Sequence, residues 1–504
     1  LPPVQAAVAS LVSDLASSPD SKLSLQGLSG FVPTDLKIAR IELADRQGTW
    51  LTVEDAELRW SFLSLLGGRL RIDTVAARRI DVARAPESTK AEPAPATGKS
   101  GTLQLPVGVD LQTLSVDELH LGAALAQVDS RWKLSGNALL PADLAEGRLK
   151  LDGNRIDGPM GRLGVDLRFD ANRQTVDGSV TFDEGKGGVA AALLQRPDLD
   201  GVATRLTVKG DARAGNADLS VSAADAVTAT GKATWQPRDK ATEVELRLDA
   251  AGPGLPKGPL TDALRGPLTL TATASVDDKL VALREARLAL GPLAVVATGR
   301  YDRTADRLQA TTTVEAAEPG PFAPLLAGAS WRGLRLETKA DIADLAKTPR
   351  GTVLLNGGAE DISIAAIDPR LPPPGKVVID GRAALRDGTL TLETLNVTSA
   401  PVSVTAAGSY VPATDRAQAK VTLNLPSLAP YSALAGRDLV GNAALDLSAT
   451  SDKGDLALTW QGALRDLGVP NVPRDLASSV SLGGSASLKR DETWTLRGVR
   501  VASE

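Results

Sequence analysis

His120 is the single histidine of a 504-residue chain, set in Asp117-Glu118-Leu119-His120-Leu121. One imidazole cannot serve both a Ser-His-Asp triad and a histidine metal site, and the strand-like context predicts a polar, exposed residue. There is no cysteine, which removes disulfides and thiolate metal ligands. No Gly-x-Ser-x-Gly elbow occurs. Gly98-Lys99-Ser100 matches the end of a phosphate loop, but Pro93 stands where the first glycine belongs and no strand precedes it. The acidic residues Asp152, Asp157, Asp177, Asp183, Asp277, Asp278 and Asp302 are spread over turns, and none falls in the D-x-[DN]-x-[DN]-G pattern of a calcium hand. A glycosidase pair would have to be assembled from distant strands. Aromatics are only 3%, which disfavours a sugar-stacking cleft, and the seven tryptophans are dispersed singly, as packing or edge residues. The expectation is a protein that is not an enzyme and carries no cofactor or metal.

The chemistry left is that of apolar side chains at a spacing of two. In residues 377–425, Leu390 and Leu392, then Val402 and Val404, then Val421 and Leu423 sit two apart. Leu268 with Leu270, and Leu445 with Leu447, repeat the pattern. A period of two places such side chains on one face of a strand, and these ten residues are the expected lining of an apolar surface. Arg386-Asp387-Gly388-Thr389 is hairpin-turn chemistry. The phase slips near Glu393-Thr394, where Leu390 and Leu392 give way to Leu395 and Val397. A β-bulge there would restore the face.

Composition narrows the class. Net charge is −5, from 56 basic and 61 acidic residues, so no basic excess is available to neutralise the phosphates of a nucleic acid. The absence of cysteine suits an oxidising compartment. Gly (47) and Pro (31) are abundant. Burial must come from Leu, Val and Ala. No apolar run reaches the ~18 residues of a transmembrane helix. The chain begins at Leu1 and reads as processed or trimmed.

At the N-terminus, Pro2 and Pro3 precede Val4, Val8, Leu11, Val12 and Leu15, the spacing of one helix face. Residues 23–84 read as a dense β module with strands at 38–43, 51–60, 70–75 and 79–82. Asp45-Arg46-Gln47-Gly48 is the first turn, and Ser61 is positioned to cap a short helix over 62–66 that ends at Gly67-Gly68.

This module resembles the N-terminal region of the TamB family of translocation and assembly module subunits, within the wider AsmA-like group. The residues that carry the resemblance are Gly27-Leu28-Ser29-Gly30, strand 36–43, Asp45 to Trp50, Val53-Glu54-Asp55-Ala56-Glu57-Leu58-Arg59-Trp60, 65–73 and 76–86. Beyond them the likeness is architectural, and no equivalent of the family's C-terminal domain is visible. The resemblance implies a periplasmic protein of a Gram-negative bacterium. It implies an inner-membrane anchor preceding Leu1 and an outer-membrane barrel partner, TamA. It also implies a role in outer-membrane assembly, through phospholipid transport or through insertion of outer-membrane proteins such as autotransporters.

Residues 85–101 contain no bulky apolar side chain and read as a linker. They separate a module at 1–84 from a repetitive region at 102–504. In that region a Gly, an aromatic and an acidic turn precede a strand at Gly231, Trp235 and Asp239. The same anchor recurs at Gly299, Tyr301 and Asp306, and at Gly408, Tyr410 and Asp415. A Pro-rich corner with a helical piece follows each strand, at 258–266, 319–328 and 426–436. The anchors are 68 and 109 residues apart, so the third unit carries an insertion or extra strands.

The expected fold is therefore all-β. It is a long repetitive antiparallel sheet curled into a trough or open taco-like solenoid with an apolar interior, plus a short N-terminal helix. Roughly thirty strands would run about 140 Å at the usual spacing. The competing reading is a sandwich or β-helix covered by its own chain. Against it stand the lack of long amphipathic helices and an aliphatic face without the large-and-small alternation of an interlocked core. Such a face suits phospholipid acyl chains. An assembly factor that pairs an exposed sheet edge with client strands is a second expectation, and a secreted solenoid adhesin a third.

Overall fold

The computed structural model describes residues 22–31, 34–86, 107–196, 198–258, 261–326, 330–363, 371–372, 374–468, 479–490 and 493–503. The expected helix over residues 2–15 and most of the linker lie outside the described residues. Among the described residues are 27 strands, and the helical pieces are only three to seven residues long. The chain is all-β, and it divides into two compact units. One comprises Leu1–Pro237 and Leu246–Lys257, the other Arg238–Glu245 and Gly258–Glu504.

The strands of the first unit are β1 (Lys22–Phe31), β2 (Asp35–Asp45), β3 (Gly48–Ser61), β4 (Arg69–Val82), β5 (Gly108–Leu121) and β6 (Ser130–Leu140). They continue with β7 (Gly147–Arg155), β8 (Gly161–Asp170), β9 (Thr175–Glu184), β10 (Val202–Gly210), β11 (Gly215–Ala223) and β12 (Val227–Arg238). Each pairs with the next in sequence. All these pairs are antiparallel except β4–β5, which is parallel, with Ala77 opposite Val116. Parallel neighbours cannot be joined by a tight hairpin, and residues 83–107 lie in sequence between these two strands. The stretch expected as a linker thus joins adjacent strands of one ladder.

Several strands differ from the expected ones. The runs at 70–75 and 79–82 are one strand, β4, because Thr74–Ala77 stay extended and paired and the pairing resumes at Arg79. Strand β1 is not among the expected strands: its two positive-φ glycines, Gly27 and Gly30, obscure the alternation. Ser61 makes no side-chain cap to the 3₁₀ turn Phe62–Gly67. Instead Ser64 Oγ donates to Ser61 O at 2.5 Å, and Gly68 closes the turn in the left-handed region.

The second unit contains β14 (Pro267–Val276), β15 (Leu280–Leu290), β16 (Leu293–Asp302), β17 (Arg307–Ala316), β18 (Ser330–Ala343), β19 (Arg350–Ser363) and β20 (Val377–Arg386). It continues with β21 (Thr389–Thr398), β22 (Ser403–Val411), β23 (Arg416–Leu425), β24 (Val440–Asp452), β25 (Asp455–Gly468), β26 (Ser479–Leu488) and β27 (Trp494–Ser503). The remaining strand, β13 (Ala241–Ala251), contributes residues to both units. From β14 to β27 every neighbour in sequence is an antiparallel neighbour in space.

Turn chemistry sets this order. Asp387 and Gly388 take φ of 50° and 71°, and Arg386 pairs with Thr389, the two-residue hairpin expected from the sequence. Asp239, Asp306, Asp344 and Asp415 occupy the same left-handed region at other turns. Helical corners follow β5, β9, β13, β17 and β23. Four strands separate successive corners up to β17 and six separate the last two, so the longer anchor interval is an extra pair of strands.

Candidate functional site

The expected bulge is present. Arg382 pairs with Thr394 and Ala383 with Leu392, so Glu393 is the extra residue on β21. On the other side Leu392 pairs with Gly408 and Leu395 with Ala406. The slip keeps Leu390, Leu392, Leu395 and Val397 on one face. A second bulge, where Leu283 and Glu285 meet Ala274 and Thr273, does the same for β15.

With phase restored, apolar positions form continuous rungs. One crosses all fourteen strands from β14 to β27. It runs Leu270, Leu288, Val295, Val314, Leu336, Gly357, Ile379, Val397, Val404, Leu423, Leu445, Gly462, Leu482 and Val501. In the first unit Leu28, Ile38, Ala56, Ala77, Val116, Leu134, Gly153, Leu163, Phe182, Thr204, Val221 and Ala229 form a twelve-strand rung, broken in its apolar character at Thr204.

Of the ten residues expected to line the surface, Leu270, Val404, Leu423 and Leu445 share the long rung. Val421 and Leu447 sit opposite one another on the next, between Ala406 and Trp460. Leu392 follows on the rung with Gly408, and Leu390 on the rung with Tyr410. Leu268 lies on the other side of the long rung, opposite Leu290. Val402 is outside β22: it closes the turn before it, its carbonyl accepting from Ser399 N at 2.9 Å and Ser399 Oγ at 3.1 Å.

The opposite face is polar and ion-paired. Arg307 contacts Asp341, Arg335 contacts Glu315, Arg382 contacts Glu393 and Arg416 contacts Asp452, each across or beside a strand. These exposed pairs add little stability, but they keep one face wet while the other stays aliphatic.

Burial on the apolar face is graded. In the second unit Ala316, Ala359 and Val377 are buried near strand ends that lead to a corner or to a longer connection, and Leu290 is buried beside the tight turn into β16. The long rung is half-buried except for Val501, which is exposed. Toward the tight hairpins Leu390 is 48% exposed and Tyr410 39%. In the first unit the corner Val189–Leu193 covers a small core of Ala191, Leu199, Val202, Ala223 and Ala226.

One ion pair stands at that edge. Arg155 Nη1 lies 3.2 Å from Glu184 Oε1, with side chains 3% and 0% exposed. Glu184 also accepts from Val189 N and Ala190 N, both at 2.7 Å, and Arg155 Nε donates to Asp157 at 2.6 Å. Every contact within this network is structural: it ties a corner to strand ends.

Sequence reasoning missed how large residues are seated. The face is not uniformly aliphatic: large side chains lie over glycines of the adjacent strand. A Cβ on Gly484 would come 2.4 Å from the Trp460 ring, one on Gly215 2.3 Å from Trp235, and one on Gly147 2.3 Å from Phe169. The large-and-small alternation runs sideways within one layer. Its signal was the spacing of aromatics and glycines on consecutive strands.

His120 is half-buried and paired, not exposed as expected. Its Nδ1 is 3.1 Å from Asp81 Oδ2 and its Nε2 3.4 Å from Asp129 Oδ1. At Asp81 burial pushes the carboxyl up, but hydrogen bonds from His120 and Arg79 outweigh it and hold the group below its ordinary value. Among the described residues no group of three metal-ligating side chains occurs, and no helix is long and apolar enough to cross a membrane.

Within each unit the fold and face define a class: a two-faced β ladder with one aliphatic side. Neither a family model, nor a curated protein, nor a solved structure matches this chain.

Proposed function

We propose that this chain is a bridge-like lipid transfer protein that carries phospholipid between the inner and outer membranes of a Gram-negative envelope. The observation that supports this reading most is the fourteen-strand apolar rung, aliphatic from Leu270 to Val501 apart from two glycines. Acyl chains laid along such a face would gain ~0.8 kcal/mol per buried CH₂, spread evenly, so no position would hold a lipid in place. The mechanism is passive: curling of the sheet about the rungs would shield the chains, with no covalent step. The resemblance of residues 23–84 to the TamB family supports a periplasmic location, an inner-membrane anchor and a barrel partner like TamA.

The test is native mass spectrometry of the purified chain, with lipid transfer between vesicles as readout. Co-purifying phospholipid is expected. Leu423→Asp, on the long rung, should cut bound lipid and transfer at least tenfold. Thr405→Asp, on the polar face, should not. A lipid-free wild-type chain, or equal transfer by both variants, would sink the conduit.

A second reading, an assembly factor for outer-membrane β proteins, is favoured by β27. Its Trp494, Leu496 and Val501 are each more than 60% exposed, and a client strand could pair there. Crosslinks from β27 to nascent barrel proteins without any to lipid would select it.

A further inference from the structure

The polar face of the second unit departs from its charge-paired pattern between Lys420 of β23 and Arg500 of β27, beyond the Arg416–Asp452 pair at the hairpin end. Arg497 and Arg500 are three residues apart, which in a regular strand would put them on opposite faces. They are on the same face. The pairing passes from Ser485 opposite Arg497 to Gly483 opposite Arg500, so two residues of β27 face one of β26. Gly498, with φ of 62°, supplies the left-handed turn this bulge needs. A bulge of this kind re-aims a side chain, and here it brings two guanidinium groups to one surface.

That surface is a cavity of about 560 Å³. Arg497 and Arg500 stand at one end and Lys420 at the other, four strand spacings or about 19 Å away. Ser448, Thr459, Gln461 and Ser485 form the floor between them. One carboxylate, Asp446, enters the cavity, where it accepts from Thr422 Oγ1 at 2.6 Å. Three cations therefore face one anion, in a chain of net charge −5. Elsewhere on this face arginines meet carboxylates, as Arg307, Arg382 and Arg416 do. Among the described residues, neither Lys420 nor Arg497 nor Arg500 is in an ion pair.

Paired guanidinium groups match the geometry of a phosphate. Hydroxyl and amide side chains match the hydroxyls of a polyol. We propose that this cavity binds a phosphate ester carried on a polyol, a glycerophosphate or sugar phosphate, with the phosphate at Arg497 and Arg500 and the hydroxyls along the Ser/Thr/Gln floor. The site lies on the face opposite the apolar rungs and does not depend on the lipid-conduit reading.

Isothermal titration of the full chain at low salt, with circular dichroism to check folding, tests it. The probes are sn-glycerol 3-phosphate, inorganic phosphate and glycerol. Glycerol 3-phosphate should bind, inorganic phosphate more weakly, and glycerol not at all. Arg497→Gln with Arg500→Gln should weaken binding at least tenfold. Gly498→Val keeps both charges but disfavours the bulge, and it should weaken binding comparably. No binding of glycerol 3-phosphate, or unchanged affinity in the folded double variant or in folded Gly498→Val, would overturn the site. Inorganic phosphate binding as tightly as the ester would overturn the polyol assignment. Competition by phosphatidylglycerol vesicles but not phosphatidylcholine vesicles would support the site and assign the ester to a lipid headgroup. Binding of the soluble ester without vesicle competition would support it with a free ligand.

Discussion

Tyr301 donates its hydroxyl to Asp306 Oδ1 at 2.8 Å, across the turn that joins β16 to β17. Asp306 also accepts from Ala346 N at its side chain and from Asp344 N at its carbonyl, both in the next turn on the same edge. Tyr410 and Asp415 repeat the first contact at 3.4 Å, and Lys453 N repeats the turn-to-turn bond on Asp415 O. At these two of the three Gly-aromatic-Asp anchors the pair is thus a stitch between successive hairpins, whereas at the first Trp235 Nε1 donates to Asp211 O at 2.6 Å.

The stitch has a pH signature. The hydrogen bond to Asp306, with burial and its negative charge, raises the Tyr301 phenol above its ordinary value. A raised folded value means the contribution is complete below the unfolded pKa of about 10 and is lost as pH rises through the folded one. Tyrosinate absorbance should show a phenol titrating late, and Tyr301→Phe should remove it. An unchanged titration curve in that variant would contradict the assignment. Tyr431 is also raised, by burial, and serves as the internal comparison.

At low pH the informative group is Asp341. Hydrogen bonds from Arg307 and Gln309 outweigh burial and bring its carboxyl from 3.8 to about 2. Because the folded value is depressed, its contribution is present above about pH 4 and is lost as pH falls toward 2. The melting temperature of the wild type should therefore drop more steeply across that window than that of Asp341→Asn. Parallel curves would argue against it.

Glu184→Ala would leave Arg155 without its buried partner and two amides of the corner Val189–Leu193 unmet. Breaking a buried pair costs about 3–5 kcal/mol, which urea unfolding would read. A loss below about 1 kcal/mol, the range of an exposed pair, would mean the edge is open to water.

Gly484→Ala tests the sideways packing. The added methyl would collide with the Trp460 ring, and overpacking costs about 1–3 kcal/mol. Trp460→Ala in the same chain should recover part of that loss, giving a coupling that a double-mutant cycle detects. Strict additivity would show that the two residues do not share the space.

Much of the fold was legible because strand periodicity is local. Alternation of this kind needs no distant information: Val421, Leu423, Leu445 and Leu447 announce one face by spacing alone. The bulge at Glu393 was legible because it breaks that spacing over a few residues. The turn at Asp387-Gly388 was legible because few residues tolerate positive φ. Strand β1 was not, since Gly27 and Gly30 interrupt its pattern, and β4 was split because Ala76 and Ala77 blur the distinction between its faces.

Residue order alone dictates that the chain makes amphipathic strands joined by hairpins, and that one face of them is aliphatic. Which strands meet was set by the folded chain. Folding placed β4 beside β5 in parallel, aligned Val404, Leu423 and Leu445 into one rung, set Trp460 over Gly484, and brought Arg497 and Arg500 onto one surface. The physical reason is range. The period of two is a property of neighbouring residues, whereas register is summed over every bulge and turn between two strands. A single extra residue, Glu393 or Gly498, changes which side chains stand together many residues away.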